Sequence, residues 1–176
     1  MCYYFQVCST ESYQDKYLVF LLEHYKELKL PYSYPISLSF LASSVLMKKE
    51  AFLCFNEEDE IIGAFGYICG TAENQYEDTH VAQIQIVFIV DAYRRSRLFL
   101  ESLQFLTQYI AQLSEPITDF RFWVPVDLRL HKLLSKIAER KNTWETVQGV
   151  IDEYHARFSE WQAYVLKFRQ EVYFPS

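Results

Sequence analysis

Residues 83–106 read QIQIVFIVDAYRRSRLFLESLQFL. At its start Gln83 and Gln85 fall on one face and Ile84 and Ile86 on the other, the period of two that marks a β-strand. From near Ser96 onward the spacing changes, and Leu100, Leu103, Phe105, Leu106, Ile110 and Leu113 recur at helical intervals. Between the two patterns lies a turn carrying Arg94, Arg95 and Arg97. A strand that delivers the backbone to a turn, followed by a helix whose first N–H groups lack intrahelical acceptors, is an arrangement that holds phosphate. The guanidinium groups add positive charge, but the turn has none of the glycines that such loops usually carry. The plainer reading of the same residues is a strand-to-helix turn with a solvated basic tip and Ser96 as N-cap.

Outward from this stretch the chain alternates strand and helix patterns. Tyr3 to Cys8 reads as a short strand, and Ser12 to Leu28 as a helix with Tyr17, Phe20, Leu21, His24 and Leu28 on one side. Pro31 and Pro35 interrupt it, and Ile36 to Leu46 reads as a second helix with Ser37 as its N-cap. Ala51 to Phe55 and Ile61 to Cys69 form a hairpin across an acidic turn. Thr71 to Thr79 is a polar loop, and the strand from His80 to Ile89 follows. Beyond the central helix, Phe120 to Val126 is a strand and Leu128 to Arg140 a helix with Leu130, Leu133, Leu134 and Ile137 inward. From Thr143 two or three more strands are expected, Trp161 to Phe168 among them. The order β-α-α-β-β-β-α-β-α-β-β suits an α/β protein in which a mixed sheet carries helices on both faces.

Composition fits one domain over residues 1–176, with 51% hydrophobic residues, 14 Tyr, 14 Phe and 3 Trp against 4 Gly. A formal charge of −6 argues against nonspecific nucleic-acid binding, which needs many cations to neutralise phosphates. No apolar run reaches the roughly 20 residues that span a bilayer, and the chain opens on no secretory leader pattern, so a reducing, cytoplasmic setting is expected. Cys2, Cys8, Cys54 and Cys69 form no C-x-x-C pair and lie in apolar, strand-like surroundings that suit inert buried thiols. Asp152-Glu-Tyr-His155 fits no metal-ligand spacing and reads as a solvated strand face; no metal is expected. There is no nucleotide-binding G-x-x-x-x-G-K loop, no G-x-S-x-G elbow, no H-E-x-x-H and no G-x-G-x-x-G.

The run from Val87 to Leu100 resembles the acyl-CoA loop of the GNAT superfamily of N-acyltransferases, whose usual form is V-x-P-x-Y-R-x-x-G-x-G/A at the end of the fourth strand. Tyr93 and Arg94 match, Asp91 stands at the proline, and Arg97 and Phe99 replace the two small residues. The element order is similar to that of the family over about residues 1–170. The resemblance implies acetyl-CoA or another acyl-CoA as co-substrate and a small-molecule or peptide amine as acceptor. Main-chain groups of Phe88, Ile89 and Val90 would pair with the pantetheine, and Arg94, Arg95, Ser96, Arg97, Leu98 and Phe99 would receive the pyrophosphate. A cradle of main-chain amides works without glycine where the backbone dihedrals suit other residues.

Direct attack of a neutral amine on the thioester needs a route for the amine proton and an acid for the leaving thiolate. The family's strand Glu falls at Gln83 or Gln85, so His80, Asp78 and Glu77 are the candidate bases. Its acid, a Tyr in a segment like N-x-x-A-x-x-L-Y-x-K, falls at Leu134, with Asp127, Leu133 and Lys136 at the neighbouring motif positions. Ser135 and Tyr154 are the candidates to replace it, while His131 on the same helix reads as a surface residue. Tyr32 and Tyr34 are candidates for lining an acceptor pocket or a homodimer contact. Two readings follow: an acyl-CoA-dependent N-acyltransferase, or a catalytically silent member of that fold serving binding or assembly.

Overall fold

The structure, a computed structural model, describes residues 2–48 and 50–175. Its strands are β1 (Tyr4–Val7), β2 (Ala51–Phe55), β3 (Ile61–Cys69), β4 (Val81–Ile89), β5 (Asp119–Pro125), β6 (Glu139–Thr146) and β7 (Gly149–Arg157). Its helices are α1 (Glu11–Glu23), α2 (Tyr25–Leu28), α3 (Tyr34–Lys48), α4 (Leu98–Ala111), α5 (Leu128–Leu134) and α6 (Phe158–Val165). The strands form a seven-stranded sheet in the order β1-β2-β3-β4-β5-β7-β6. The pairs β1/β2, β2/β3, β5/β7 and β6/β7 are antiparallel. Helix α4 lies between β4 and β5 in the chain, and the sheet is mixed as expected.

The chain divides into two compact units, Met1–Ile68 with Ile84–Leu98, and Cys69–Gln83 with Phe99–Ser176. In the first, Tyr17, Phe20 and Leu21 of α1 and Leu41 and Val45 of α3 pack with Ala51, Leu53, Phe55, Ala64, Ile86 and Phe88 from the strands. Their i, i+3 and i+4 spacing on the helices meets the period of two on the strands, and this fit places the core. All five residues of β2 are buried, so both of its faces are covered. Gly66 is required here, because a Cβ at that position would run into the Tyr17 hydroxyl and the Ser44 side chain. The predicted hairpin is present over its predicted residues. Its turn is closed by Asn56, whose Oδ1 accepts from the N–H groups of Glu58 and Glu60 at 3.0 and 2.9 Å.

In the second unit, Phe120 and Phe122 of β5, Tyr154 of β7 and Trp161 of α6 form an aromatic cluster. Phe122 stacks on Tyr154 at 5.5 Å, and both phenylalanines meet the Trp161 ring edge-on. Trp161 Nε1 donates to Thr107 Oγ1 of α4 at 2.9 Å, which satisfies a buried donor.

Several expectations are corrected. Trp161 to Phe168 is not a strand: Trp161 and Val165 are the buried residues of helix α6, one turn apart. The helix expected over Leu128 to Arg140 stops at Leu134, because Glu139 already pairs with His155 at the start of β6. The first helix is divided at His24, and Thr10 caps it by accepting from Tyr13 N. Ser37 is no N-cap: its N–H bonds to Ser33 O inside α3, which begins at Tyr34. Pro35 is tolerated there because the first turn of a helix has no use for its missing N–H. The polar segment after β3 includes a short 3₁₀ turn, Ala72–Asn74, rather than loop throughout.

Candidate functional site

β4 ends where Val90 N donates to Ile62 O of β3 at 2.9 Å. A 3₁₀ turn, Asp91–Tyr93, then leads through Arg94–Arg97 into α4. Within this turn the N–H groups of Tyr93, Arg94 and Ser96 donate to the carbonyls of Val90, Asp91 and Tyr93. Ser96 Oγ donates to Tyr93 O at 2.6 Å and accepts from Leu98 N at 3.2 Å, a capping role at the start of α4. Among the described residues, positive φ occurs at Lys29, Asp59, Gly70, Gln75, Tyr76 and Gly149, and nowhere from Phe88 to Phe99. Arg97 and Phe99 therefore sit in the glycine positions of the motif without backbone strain.

The three arginines of the turn differ in what they do. Arg94 donates from Nε to Ile89 O at 2.9 Å, pairs with Asp91 at 3.3 Å and with Glu27 of α2 at 3.5 Å, and lies over the Phe88 ring. Its charge is already answered by the protein. Arg95 is exposed and makes no hydrogen bond or ion pair among the described residues, while Arg97 is exposed. Tyr93 is anchored by Asn56, whose Nδ2 donates to the phenol oxygen at 3.2 Å, so the acidic hairpin turn and the basic turn are tied together.

The candidate bases are spread apart. Gln83 Nε2 donates to Gly70 O at 2.6 Å, and Gln85 Oε1 accepts from Ser43 Oγ at 2.7 Å, so both side chains are engaged in structure. His80 is exposed and lines an open hollow with Glu73, Asn74, Gln75, Glu77 and Asp78. Desolvation would raise the Asp78 carboxyl, but hydrogen bonds from the Thr71 hydroxyl and N–H and from the Asn74 amide outweigh it and bring the pKa down to about 2. So acidic a carboxyl is a poor proton acceptor near neutral pH.

On α5 and β7 the residues come together differently from the sequence reading. Asp127 caps α5 by accepting from Arg129 N and Leu130 N. Leu134 is buried, and Ser135 is exposed with its hydroxyl donating to Lys132 O at 3.1 Å. Tyr154 is 1% exposed, and its hydroxyl lies 2.7 Å from Nδ1 of half-buried His131. Burial pushes the Tyr154 phenol up, the Asp152 charge adds to that, and Arg140 opposes it. No local motif announces this pair, because its members stand 23 positions apart.

The stretch Asp152 to His155 is corrected from a solvated face to a largely buried one. Asp152 accepts from Thr143 Oγ1 at 2.7 Å and pairs with Arg140 at 3.7 Å. Glu153 accepts from Asn142 Nδ2 at 2.6 Å and meets His155 Nε2 at 3.2 Å. Burial would raise the Glu153 carboxyl, and these two partners lower it on balance. Among the described residues no group of three or more His, Cys, Asp and Glu is arranged to hold a metal ion. Cys2 is exposed, contrary to expectation, while Cys8, Cys54 and Cys69 are buried. Burial pushes the Cys8 thiol up to about 12, far from a reactive thiolate. No helix among the described residues is long and apolar enough to cross a membrane.

No family model and no curated protein matches the sequence. Solved structures do resemble the fold. A GNAT-family acetyltransferase from Staphylococcus aureus superposes with a TM-score of 0.63 at 12% identity, covering 89% of this chain and 99% of that one. Mutant forms of the spermidine/spermine N-acetyltransferase SpeG from Vibrio cholerae give 0.63 at 10% identity, over 92% and 97%. An acetyltransferase from Salmonella typhimurium that modifies the N-terminal serine of a 50S ribosomal subunit protein gives 0.59 at 14% identity, over 88% and 94%. At these identities the likeness is one of fold.

Proposed function

We propose that this chain, whose fold is that of the GNAT acetyltransferases, moves an acyl group, most simply acetyl, from acyl-CoA to an amine. The observation that supports this best is the passage from β4 through the basic turn into α4, set within that fold and built without left-handed residues. Phe88, Ile89 and Val90 would offer main-chain groups to the pantetheine, and the turn from Arg94 to Phe99 would receive the pyrophosphate. Arg95 carries the clearest part of that role, since it is exposed and uncommitted. The acceptor is a small-molecule or peptide amine; a polyamine and a protein N-terminus, the amines named for two of the neighbours, are the first to try. Coverage of nearly the whole chain by these neighbours supports reading residues 1–176 as one domain.

A second reading has its own support. Gln83 and Gln85 stand where a carboxylate base would, Leu134 stands where the tyrosine acid would, and Arg94 is paired within the protein. Those facts favour a catalytically silent relative that keeps the fold for binding or assembly. A thermal-shift titration separates the readings first. Acetyl-CoA at 100 times its Kd should add about 2.7 kcal/mol to stability. Stabilisation followed by release of CoA thiol with an amine present supports the transferase, and stabilisation without release supports the silent protein. No shift at millimolar acetyl-CoA and CoA would remove acyl-CoA binding altogether.

A further inference from the structure

We propose that the outer edge of β6 pairs with β6 of a second copy of this chain, antiparallel about a two-fold axis centred on Thr143. β6 ends the seven-stranded order, so one side of its backbone has no strand beside it among the described residues. An edge in that position is a template for a further strand. The opposite edge offers less, because β1 has four residues and three of them are half-buried. β6 has eight, and Glu139 to Glu145 are all exposed.

The two halves of β6 differ. From Glu139 to Lys141 it carries three charges and a bulge, since its register on β7 shifts between Arg140 and Asn142. Such features discourage pairing. From Asn142 to Thr146 the register on β7 is regular, no proline interrupts it, and two threonines and a tryptophan suit an extended strand. Two side chains there have no internal use. Trp144 is 52% exposed, and neither its indole N–H nor its ring has a hydrogen-bond or ring partner among the described residues. The Glu145 carboxylate makes no hydrogen bond or ion pair among them either.

The charges of this strand fit a second copy in one register. Directly opposed residues of an antiparallel pair point to the same face, and a two-fold axis through the sheet keeps each copy's faces where they were. The axis therefore runs through a residue position and not between two. Centred on Asn142 it would set Glu139 against Glu145, a like-charge pair. Centred on Trp144 it would leave Glu145 opposite Thr143. Centred on Thr143 it sets Lys141 against Glu145 twice, once from each copy, and opposes no like charges. Lys141 lies in the bulge, and its long flexible stem gives it reach. Its pairing with Glu139 at 2.9 Å is between two exposed groups and holds it weakly. In the same register the row Pro125, Ile151, Trp144 continues onto Asn142 and Glu153 of the second copy, which sets them beside the exposed indole.

The test is sedimentation of the full chain over about 1 to 100 µM, a range that brackets weak self-association. The wild type should move from monomer toward twice its mass as concentration rises. Lys141→Glu and Glu145→Lys each place like charges in opposition at both ends of the contact, and each should weaken self-association by about 10-fold or more. An equimolar mixture of the two variants should recover it, because each then meets the opposite charge, and recovery shows that both variants fold. A wild type that stays monomeric throughout would overturn the proposal. A dimer that either variant forms as readily as the wild type would overturn it too. Variants that remain monomeric when mixed would overturn the register about Thr143 and the proposal with it. None of these outcomes bears on acyl-CoA binding.

Discussion

The basic turn after β4 and the pair on α5 and β7 make opposite impressions in sequence and in structure. The turn carries the most recognisable motif in the chain, yet much of its chemistry is spent internally. Three of its N–H groups close the turn itself, Ser96 caps α4, and Arg94 is held by Glu27, Asp91 and Ile89 O. The α5 and β7 region has a buried leucine, Leu134, where the resemblance would put a tyrosine, yet the fold brings an imidazole and a buried phenol to 2.7 Å. A contiguous motif reports which residues are present at a turn. It does not report which of them the rest of the chain has already engaged.

That contrast can be broken at either end. The largest effect is expected at the pair on α5 and β7, where His131→Ala strands the buried Tyr154 hydroxyl and should cost about 1–3 kcal/mol of stability, read as a fall in the urea midpoint. If Arg94→Ala lowered the urea midpoint more than His131→Ala, the ranking of the two regions would be reversed. At the turn, Arg95→Ala should weaken acetyl-CoA binding by about 10-fold and flatten its salt dependence, as loss of a charge-assisted phosphate contact does. Arg94→Ala should weaken it by less, because Arg94 already has carboxylate partners. Calorimetric titration at two salt concentrations reads both, and equal losses would show that the internal pairing of Arg94 does not matter.

The fold was legible where one period dominated. The hairpin of β2 and β3 and the strand β4 follow from alternation and an acidic turn. Elsewhere distant partners decided. Leu130, Leu133, Leu134 and Ile137 continue a helical spacing, but the ladder with β7 takes the chain from Glu139, so α5 ends early. In residues 161–168 the apolar residues fit either period, and burial of Trp161 and Val165 together settles it as helix. Asp152 and Glu153 look solvated until Thr143, Asn142 and Arg140 of β6 arrive beside them to answer their charges. The site was legible to a similar extent. The turn could be found by its arginines, whereas the Glu27 that holds Arg94 and the tyrosine that holds His131 come from elsewhere in the chain.

Smaller effects sharpen the comparison. Glu27→Gln removes one carboxylate from Arg94 and should tighten acetyl-CoA binding by about threefold, the scale of an exposed ion pair. Unchanged or weaker affinity would mean Glu27 is not competing with phosphate. The hollow around His80 supplies a control, since none of its lining residues belongs to the turn or to the pair. Asp78 has a folded pKa of about 2 against an ordinary value of 3.8, so its contribution to stability is present above about pH 4 and is lost as pH falls toward 2. Asp78→Asn should lower the urea midpoint modestly at neutral pH and match the wild type near pH 2. A difference that grows on acidification would contradict the sign.

The central claim is that the backbone from Phe88 to Phe99 receives the co-substrate, and amide hydrogen exchange with and without acetyl-CoA addresses it most directly. Saturating acetyl-CoA should slow exchange across residues 88–99, most of all at Arg95, whose N–H has no acceptor among the described residues. Unchanged exchange across that stretch at millimolar acetyl-CoA, or slowing confined to other segments, would contradict the account.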